Sequence, residues 1–175
     1  MADWKKRIVE LVFVKQKLAE LDVEGLWQHR LPGIAATEAK LRGVETHLSE
    51  PLNPAYREFL LHADGWQAFY QSVDLFGSRD LMGSDRFRHA MEMLSYVEND
   101  VLVAGELQRD ELLPIAASSV DLDLFVMTKR SAAQSGLVVW LAGSEIDRFP
   151  NFGEYFLAMI DYNRLEIQHL RNRLS

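Results

Sequence analysis

His62 and Asp64 have the residue types and the spacing for acid–base chemistry. A histidine and a carboxylate that reach one substrate can exchange protons with it near neutral pH. The same residues also suit the end of a helix, where a histidine interacts with the helix dipole and an aspartate forms a turn. The helix-end interpretation explains both residues, so we expect no catalytic residues. An enzyme with a site around this pair is the least favoured alternative.

Asp121 and Asp123 alternate with apolar residues in the sequence VDLDLFVMT. Alternation along a strand places both carboxylates on one face of a sheet and Leu122, Leu124 and Val126 on the other. Two neighbouring carboxylates can bind a cation or a basic protein partner. They can also form nothing more than the solvated face of a sheet.

A third candidate is the aromatic group Trp66, Phe69 and Tyr70, which lies between a predicted helix end and a predicted strand. Aromatic residues dominate the binding energy of many protein interfaces. They are equally suited to a hydrophobic core, where we expect at least one of the three to lie. From these groups we select Asp64, Trp66, Asp121 and Asp123 as candidate partner-binding residues.

The composition makes several other kinds of chemistry improbable. There is no cysteine, and none of the five histidines has a second histidine at the i, i+4 spacing of two helical metal ligands. The ten glycines are dispersed singly, so no phosphate-binding or dinucleotide-binding loop is indicated. Ser144 lacks the glycine pattern of a nucleophile elbow. We therefore expect neither a metal site nor a cofactor.

The chain carries a formal charge of −7, from 26 acidic and 19 basic residues. This charge repels the phosphates of nucleic acids, so direct nucleic-acid binding is not expected. It would steer the protein toward a basic partner, or it would simply favour solubility. No apolar run approaches the roughly 20 residues that cross a bilayer, so the sequence predicts a cytoplasmic protein without membrane contact.

Four helices are predicted with specific start or stop signals. Apolar residues at helical spacing from Trp4 to Leu21 indicate an amphipathic helix, which packs on the protein's own core or docks on a partner. Thr37 and Asn53 are the predicted N-caps of the second and third helices, and Pro54 suits the first turn of the third. Ser84 is the predicted cap of a fourth helix.

Strand patterns follow in VDL near residue 73 and in LLPIAAS, VDLDLFVMT and GLVVWLAG, and a long helix is predicted from about Asn151. Helices and strands in separate blocks indicate an α+β fold, here one domain with a mostly antiparallel sheet of about four to six strands. We expect an N-terminal helical extension over residues 1–24 and the main domain over residues 33–175.

The segment from TEAKLRGVETHL through PLNPAYREFLLHADGW to VDLFGSRDL resembles the SUKH superfamily, which includes the yeast regulator of glucan synthesis and cell-wall assembly. That family has a proline-containing joint, an aromatic-x-x-Phe-Leu helix that ends near glycine, and an apolar strand with a Phe-Gly turn. The matching residues are Glu45, Pro51, Pro54, Tyr56, Phe59, Leu60, Gly65, Leu75, Phe76 and Gly77. With LLPIA, VDLDLFVMT, GLVVWLAG and FPNFGEYFLAMI, the resemblance spans residues 33–165.

The resemblance implies a compact α+β binding domain without an active site. Bacterial members are mostly immunity proteins, encoded beside secreted toxins that are often nucleases or deaminases. The sequence therefore favours an immunity protein that neutralises a toxin by direct binding. The alternative is an intracellular scaffold or regulator of cell-wall synthesis or signalling that acts through protein contacts, with the N-terminal helix as a recruiting element.

Overall fold

A computed structural model describes residues 2–175 and shows an α+β fold. The helices are α1 (Trp4–Leu21), α2 (Glu38–Leu48), α3 (Pro54–Leu60), α4 (Ser78–Leu81), α5 (Asp85–Tyr96), α6 (Asn99–Ala104) and α7 (Phe152–Leu174). The strands are β1 (Trp66–Tyr70), β2 (Val73–Leu75), β3 (Leu112–Ser118), β4 (Leu124–Thr128), β5 (Val138–Leu141) and β6 (Glu145–Phe149). The predicted α+β class is confirmed.

The six strands form one sheet in the order β1 to β6, and every neighbouring pair is antiparallel. This agrees with the mostly antiparallel sheet of about four to six strands that the sequence predicts. Helix α7 packs on β1 and β6, and α5 packs on β3 and β4. Phe125 of β4 lies against Tyr155 of α7, whereas its neighbour Leu124 faces the side of α5 and α6. The sheet is therefore covered by helices on both faces.

The helices begin where the sequence places their caps. Thr37 accepts a hydrogen bond from the Lys40 N–H, and Ser84 accepts one from the Phe87 N–H. Asn53 and Asn151 cap α3 and α7 in the same way. Each cap satisfies a backbone donor that has no partner inside its helix, so these predicted starts are confirmed.

Helix α1 packs along α7 rather than projecting from the domain. Trp4 is 1% exposed, and its ring lies 5.5 Å from Phe59, 5.5 Å from Phe152 and 5.4 Å from Phe156. An ion pair of 2.5 Å joins Arg164 to Glu10 farther along the two helices. The apolar stripe of α1 is thus used by the protein's own core, as the simplest interpretation of its sequence predicts.

Two strands lie outside the predicted set, and one prediction needs correction. Strands β1 and β6 show no regular strand pattern in the sequence, and the strand predicted from Val120 begins only at Leu124. The Ser118 hydroxyl accepts hydrogen bonds from the N–H groups of Val120 (3.1 Å) and Asp121 (2.9 Å). These bonds form a local turn in place of ladder pairing, so Asp121 and Asp123 lie in the β3–β4 loop.

Strand β1 contains an irregularity at Ala68, whose φ is +50°. The Ala68 N–H donates to Asp74 Oδ1 (2.8 Å), and its carbonyl accepts from Lys15 Nζ (2.5 Å). Lys15 is 5% exposed, and burial lowers its pKa from 10.5 to about 8. A buried ammonium on α1 therefore holds the bulged strand.

Among residues 2–175, no helix combines the length and apolarity needed to cross a bilayer.

The Lys15→Met variant tests this burial through pH. The unfolded chain retains a proton on Lys15 up to about pH 10.5, whereas the folded protein releases it near pH 8. The unfolding free energy of the wild type, measured relative to Lys15→Met, should therefore rise by about 2 to 3 kcal/mol between those pH values. Urea titrations of both proteins across this range provide the measurement, and a flat difference would contradict the assignment.

Candidate partner-binding surfaces

One surface depression, the Asp64 groove, has a volume of about 990 Å³ and is lined by residues within 30–34, 40–44, 64–67 and 75–86. It lies where the loop before α2 meets the start of β1 and the short helix α4. Four cations, Arg30, Lys40, Arg79 and Arg86, line it together with two carboxylates, Asp64 and Asp80. Apolar side chains project from the same rim.

Three glycines allow the backbone segments beneath this groove to meet. A Cβ on Gly77 would lie 2.3 Å from the Asp64 carbonyl oxygen, and one on Gly33 would lie 2.5 Å from the same atom. Gly65 has a φ of +82°, and a Cβ there would lie 2.6 Å from the Gly77 nitrogen. Gly33 N–H also donates to the Gly65 carbonyl at 2.8 Å. The floor of the groove is therefore bare backbone in close contact.

Asp64 and Trp66, two of the predicted binding residues, both serve this junction. The Asp64 carboxylate accepts from the Ser78 N–H and the Ser78 hydroxyl, each at 2.6 Å. Trp66 is 1% exposed and donates from Nε1 to the Arg30 carbonyl at 2.9 Å. His62 is exposed, and its ring Nδ1 lies within hydrogen-bond distance, 2.9 Å, of the Glu58 carbonyl oxygen. His62 is therefore paired with Glu58 and not with Asp64.

Asp121 and Asp123 lie at the opposite end of the β1–β2 hairpin. Tyr70 and Val73 pair at that end, next to Ser118, whereas Trp66 pairs with Leu75 at the other. The strand length separates the two pairs of predicted residues by on the order of 10 Å. Asp121 is exposed and accepts from the Ser72 hydroxyl at 3.2 Å. The four predicted residues therefore do not form one continuous surface.

Asp123 belongs to a half-buried group of aromatic rings and carboxylates. It accepts from Trp140 Nε1 at 2.8 Å, and the Trp140 ring lies 5.2 Å from Tyr162. Burial, with a hydrogen bond to Asp147 (2.7 Å), raises the pKa of Tyr162 to about 12. Tyr162 therefore stays a hydrogen-bond donor at neutral pH, and the group anchors the β3–β4 loop beside α7.

A second depression, the Tyr96 groove, was not anticipated from the sequence. It has a volume of about 250 Å³ and is lined by side chains from residues 93–101, 122–124 and 141–144, most of them apolar. Tyr96 is 76% exposed and Leu122 is 71% exposed. Such exposure is unusual for large apolar side chains that share one surface.

Within residues 2–175, no group of three or more histidine, aspartate or glutamate side chains is arranged so that it could hold a metal ion.

The Gly77→Ala variant tests the glycine junction. The added methyl group would overlap the Asp64 carbonyl, and the atom it meets is backbone, so we expect a loss of about 3 kcal/mol in unfolding free energy. Gly43→Ala is the matched control, because Gly43 lies within α2 with no atom within 4 Å of a built Cβ. That control should gain about 0.5 to 1 kcal/mol. Equal changes in unfolding free energy for the two variants, measured by chemical denaturation, would contradict the close backbone contact between Gly77 and Asp64.

The SMI1 / KNR4 family profile (SUKH-1) matches residues 35–158. The matched region contains the whole sheet, the Tyr96 groove and all of the Asp64 groove except its residues 30–34. No individual curated protein matches the chain. Members of this family are known as immunity proteins for polymorphic toxins. The match covers more than half of the sequence and agrees with the resemblance noted from its motifs, so the chain belongs to the SMI1 / KNR4 family (SUKH-1).

Proposed function

We propose that this protein is an immunity protein that neutralises a toxin domain by binding it directly at the Tyr96 groove. Family membership supports the general role. The observation that carries the specific site is an exposed aromatic side chain on an apolar depression that Glu98 lines and Asp121 flanks. Tyrosine is among the residues that contribute most to interface energies, particularly at the centre of a patch with a polar rim.

The segment that forms much of the Tyr96 groove is acidic on its exposed side. Within residues 92–111, Glu98 lines the groove, the Glu92 carboxylate lies 3.5 Å from the Tyr96 hydroxyl, and Asp100 is exposed close by in the sequence. Arg109 is the one basic residue in this stretch, and its guanidinium donates to the carbonyl groups of Leu94 and Val97 and to Asn99. Asp121 extends the negative surface from the loop that also carries Leu122. A partner that docks here would have a basic surface.

A toxin with a basic surface, such as a nuclease, is complementary in charge to this negative surface. Opposite charges on two proteins accelerate their encounter, and they fix the orientation in which the proteins dock. Carboxylates placed over a nuclease site would also occupy the position that the phosphates of its substrate require. The proposal therefore explains inhibition by occupancy and needs no reaction on the immunity protein.

Asp121 is the predicted binding residue that suits this role most directly, because its side chain is exposed beside Leu122. Asp123 would act by holding the loop through Trp140. Asp64 and Trp66 lie at the other groove, where they maintain the backbone junction. Their contribution to toxin binding would be indirect.

Co-expression tests the function. Candidate toxin domains encoded near this gene are expressed in cells with and without the full chain. At least one of them should stop growth unless the full chain is present, and that toxin domain and this protein should elute as one complex. Failure to protect the cells, together with no complex in gel filtration, would contradict the proposed immunity function.

The Tyr96→Ala variant tests the site. Truncating a central aromatic residue costs about 2 kcal/mol or more, so affinity for the toxin domain should fall about 30-fold by calorimetry. Phe13→Ala is the matched control, because Phe13 is also an aromatic residue, is 65% exposed and lies on α1. The affinity of the Phe13→Ala variant for the toxin domain should equal that of the wild type. A loss in the Phe13 variant alone would instead favour recruitment through the N-terminal helix.

A further inference from the structure

The Asp64 groove carries cations that the protein does not neutralise. Among residues 2–175, Lys40 and Arg79 make no ion pair or side-chain hydrogen bond, and both are exposed. The Arg30 side chain makes one hydrogen bond, of 3.3 Å, from Nε to the amide oxygen of Gln28. The chain as a whole carries a formal charge of −7. Three cations without ion-pair partners around one depression therefore make it a positively charged area on a negatively charged protein.

The carboxylates of this groove are already engaged by the fold. Asp64 is held by Ser78, as described above. Asp80 accepts from the Gly77 N–H (3.2 Å) and the Ser84 hydroxyl (2.8 Å), and it pairs with Arg86 at 3.2 Å. Arg86 also pairs with Asp74 at 3.3 Å. Arg86 is therefore balanced internally, and the charges left to interact with a ligand are those of Arg30, Lys40 and Arg79.

Apolar side chains stand among these free cations. Leu31 is 73% exposed, Ile34 is 93% exposed and Met82 is 48% exposed, and all three line the groove. A nucleic acid would use the cations but would leave these aliphatic side chains without partners. A polypeptide that alternates carboxylates with apolar side chains would use both. The groove volume, about 990 Å³, is at the upper end of the range for ligand pockets.

We propose that the Asp64 groove binds an acidic segment of a protein partner, with apolar side chains of that segment packed on Leu31, Ile34 and Met82. The carboxylates of the segment pair with Lys40, Arg79 and Arg30. The site is independent of the Tyr96 groove and has the opposite charge. One molecule thus offers a negative surface to a basic partner and a positive groove to an acidic segment.

A peptide titration tests the proposal on the full chain. The probe is a short synthetic peptide in which glutamate alternates with leucine, and its counterparts carry glutamine or lysine in place of glutamate. When the glutamate peptide is added, the NMR chemical shifts of the backbone amides in the isotope-labelled protein should change in residues 30–34, 40–44, 64–67 and 77–82. A single-stranded oligothymidylate, added separately, tests nucleic acid as the ligand.

The double variant Lys40→Gln with Arg79→Gln should bind the glutamate peptide about ten-fold more weakly at low salt, because two exposed ion pairs are lost. Lys5→Gln with Arg171→Gln is the charge-matched control, since both residues are exposed on α1 and α7, and its affinity should equal that of the wild type. Raising the salt concentration should weaken the wild-type complex.

Several results would overturn the proposal. They are no binding of the glutamate peptide, equal binding of the glutamine peptide, and shifts that map outside the groove. Tighter binding of the oligothymidylate at the same residues would overturn it as well, because the ligand would then be a nucleic acid. None of these results bears on the toxin complex at the Tyr96 groove, so the two proposals fail separately.

Discussion

The close approach of backbone at Gly33, Gly65 and Gly77 is the constraint on which the arrangement of the domain depends. At this junction the loop before α2, the start of β1 and the start of α4 meet with no side chain between them. The neighbouring Tyr56 hydroxyl, fully buried, donates to the Phe76 carbonyl at 2.7 Å and fixes the end of β2. Because any Cβ at Gly33 or Gly77 would displace the Asp64 carbonyl, one junction sets both the topology of the N-terminal half and the floor of the Asp64 groove.

The two grooves lie on a scaffold that aromatic packing makes rigid. Trp4, Phe59, Phe152 and Phe156 join α1, α3 and α7, and Phe125 stacks on Trp140 at 5.0 Å on the same face of the sheet. Binding to a preorganised surface loses less conformational entropy than binding to a mobile one. A preorganised domain of this kind can bind a partner tightly through a few exposed residues at its ends.

The helices were predictable because their signals are local. Thr37, Asn53 and Ser84 are caps in the sequence and in the structure. Strand β6, EIDRF, is a polar edge strand without an apolar run, and β1 is interrupted at Ala68, so neither shows a regular pattern. The match of the SMI1 / KNR4 family (SUKH-1) to residues 35–158 confirms the family that the motifs indicated.

The candidate site was less predictable, because exposure depends on tertiary packing. Asp64 and Asp123 look free in the sequence, yet each is engaged by a side chain distant along the chain, Ser78 and Trp140 respectively. Trp66 looked equally suited to an interface and to the core, and the fold buries it. Tyr96 carries no signal in the sequence, since its exposure follows from where α5 ends and how α6 packs beyond it.

Hydrogen exchange on a complex with a toxin domain that this protein neutralises would locate the contact on the intact protein. Binding at the Tyr96 groove should slow exchange in residues 92–106 and 119–123 and leave α1 and α7 unchanged. Slower exchange confined to α1, or none around the Tyr96 groove, would contradict it.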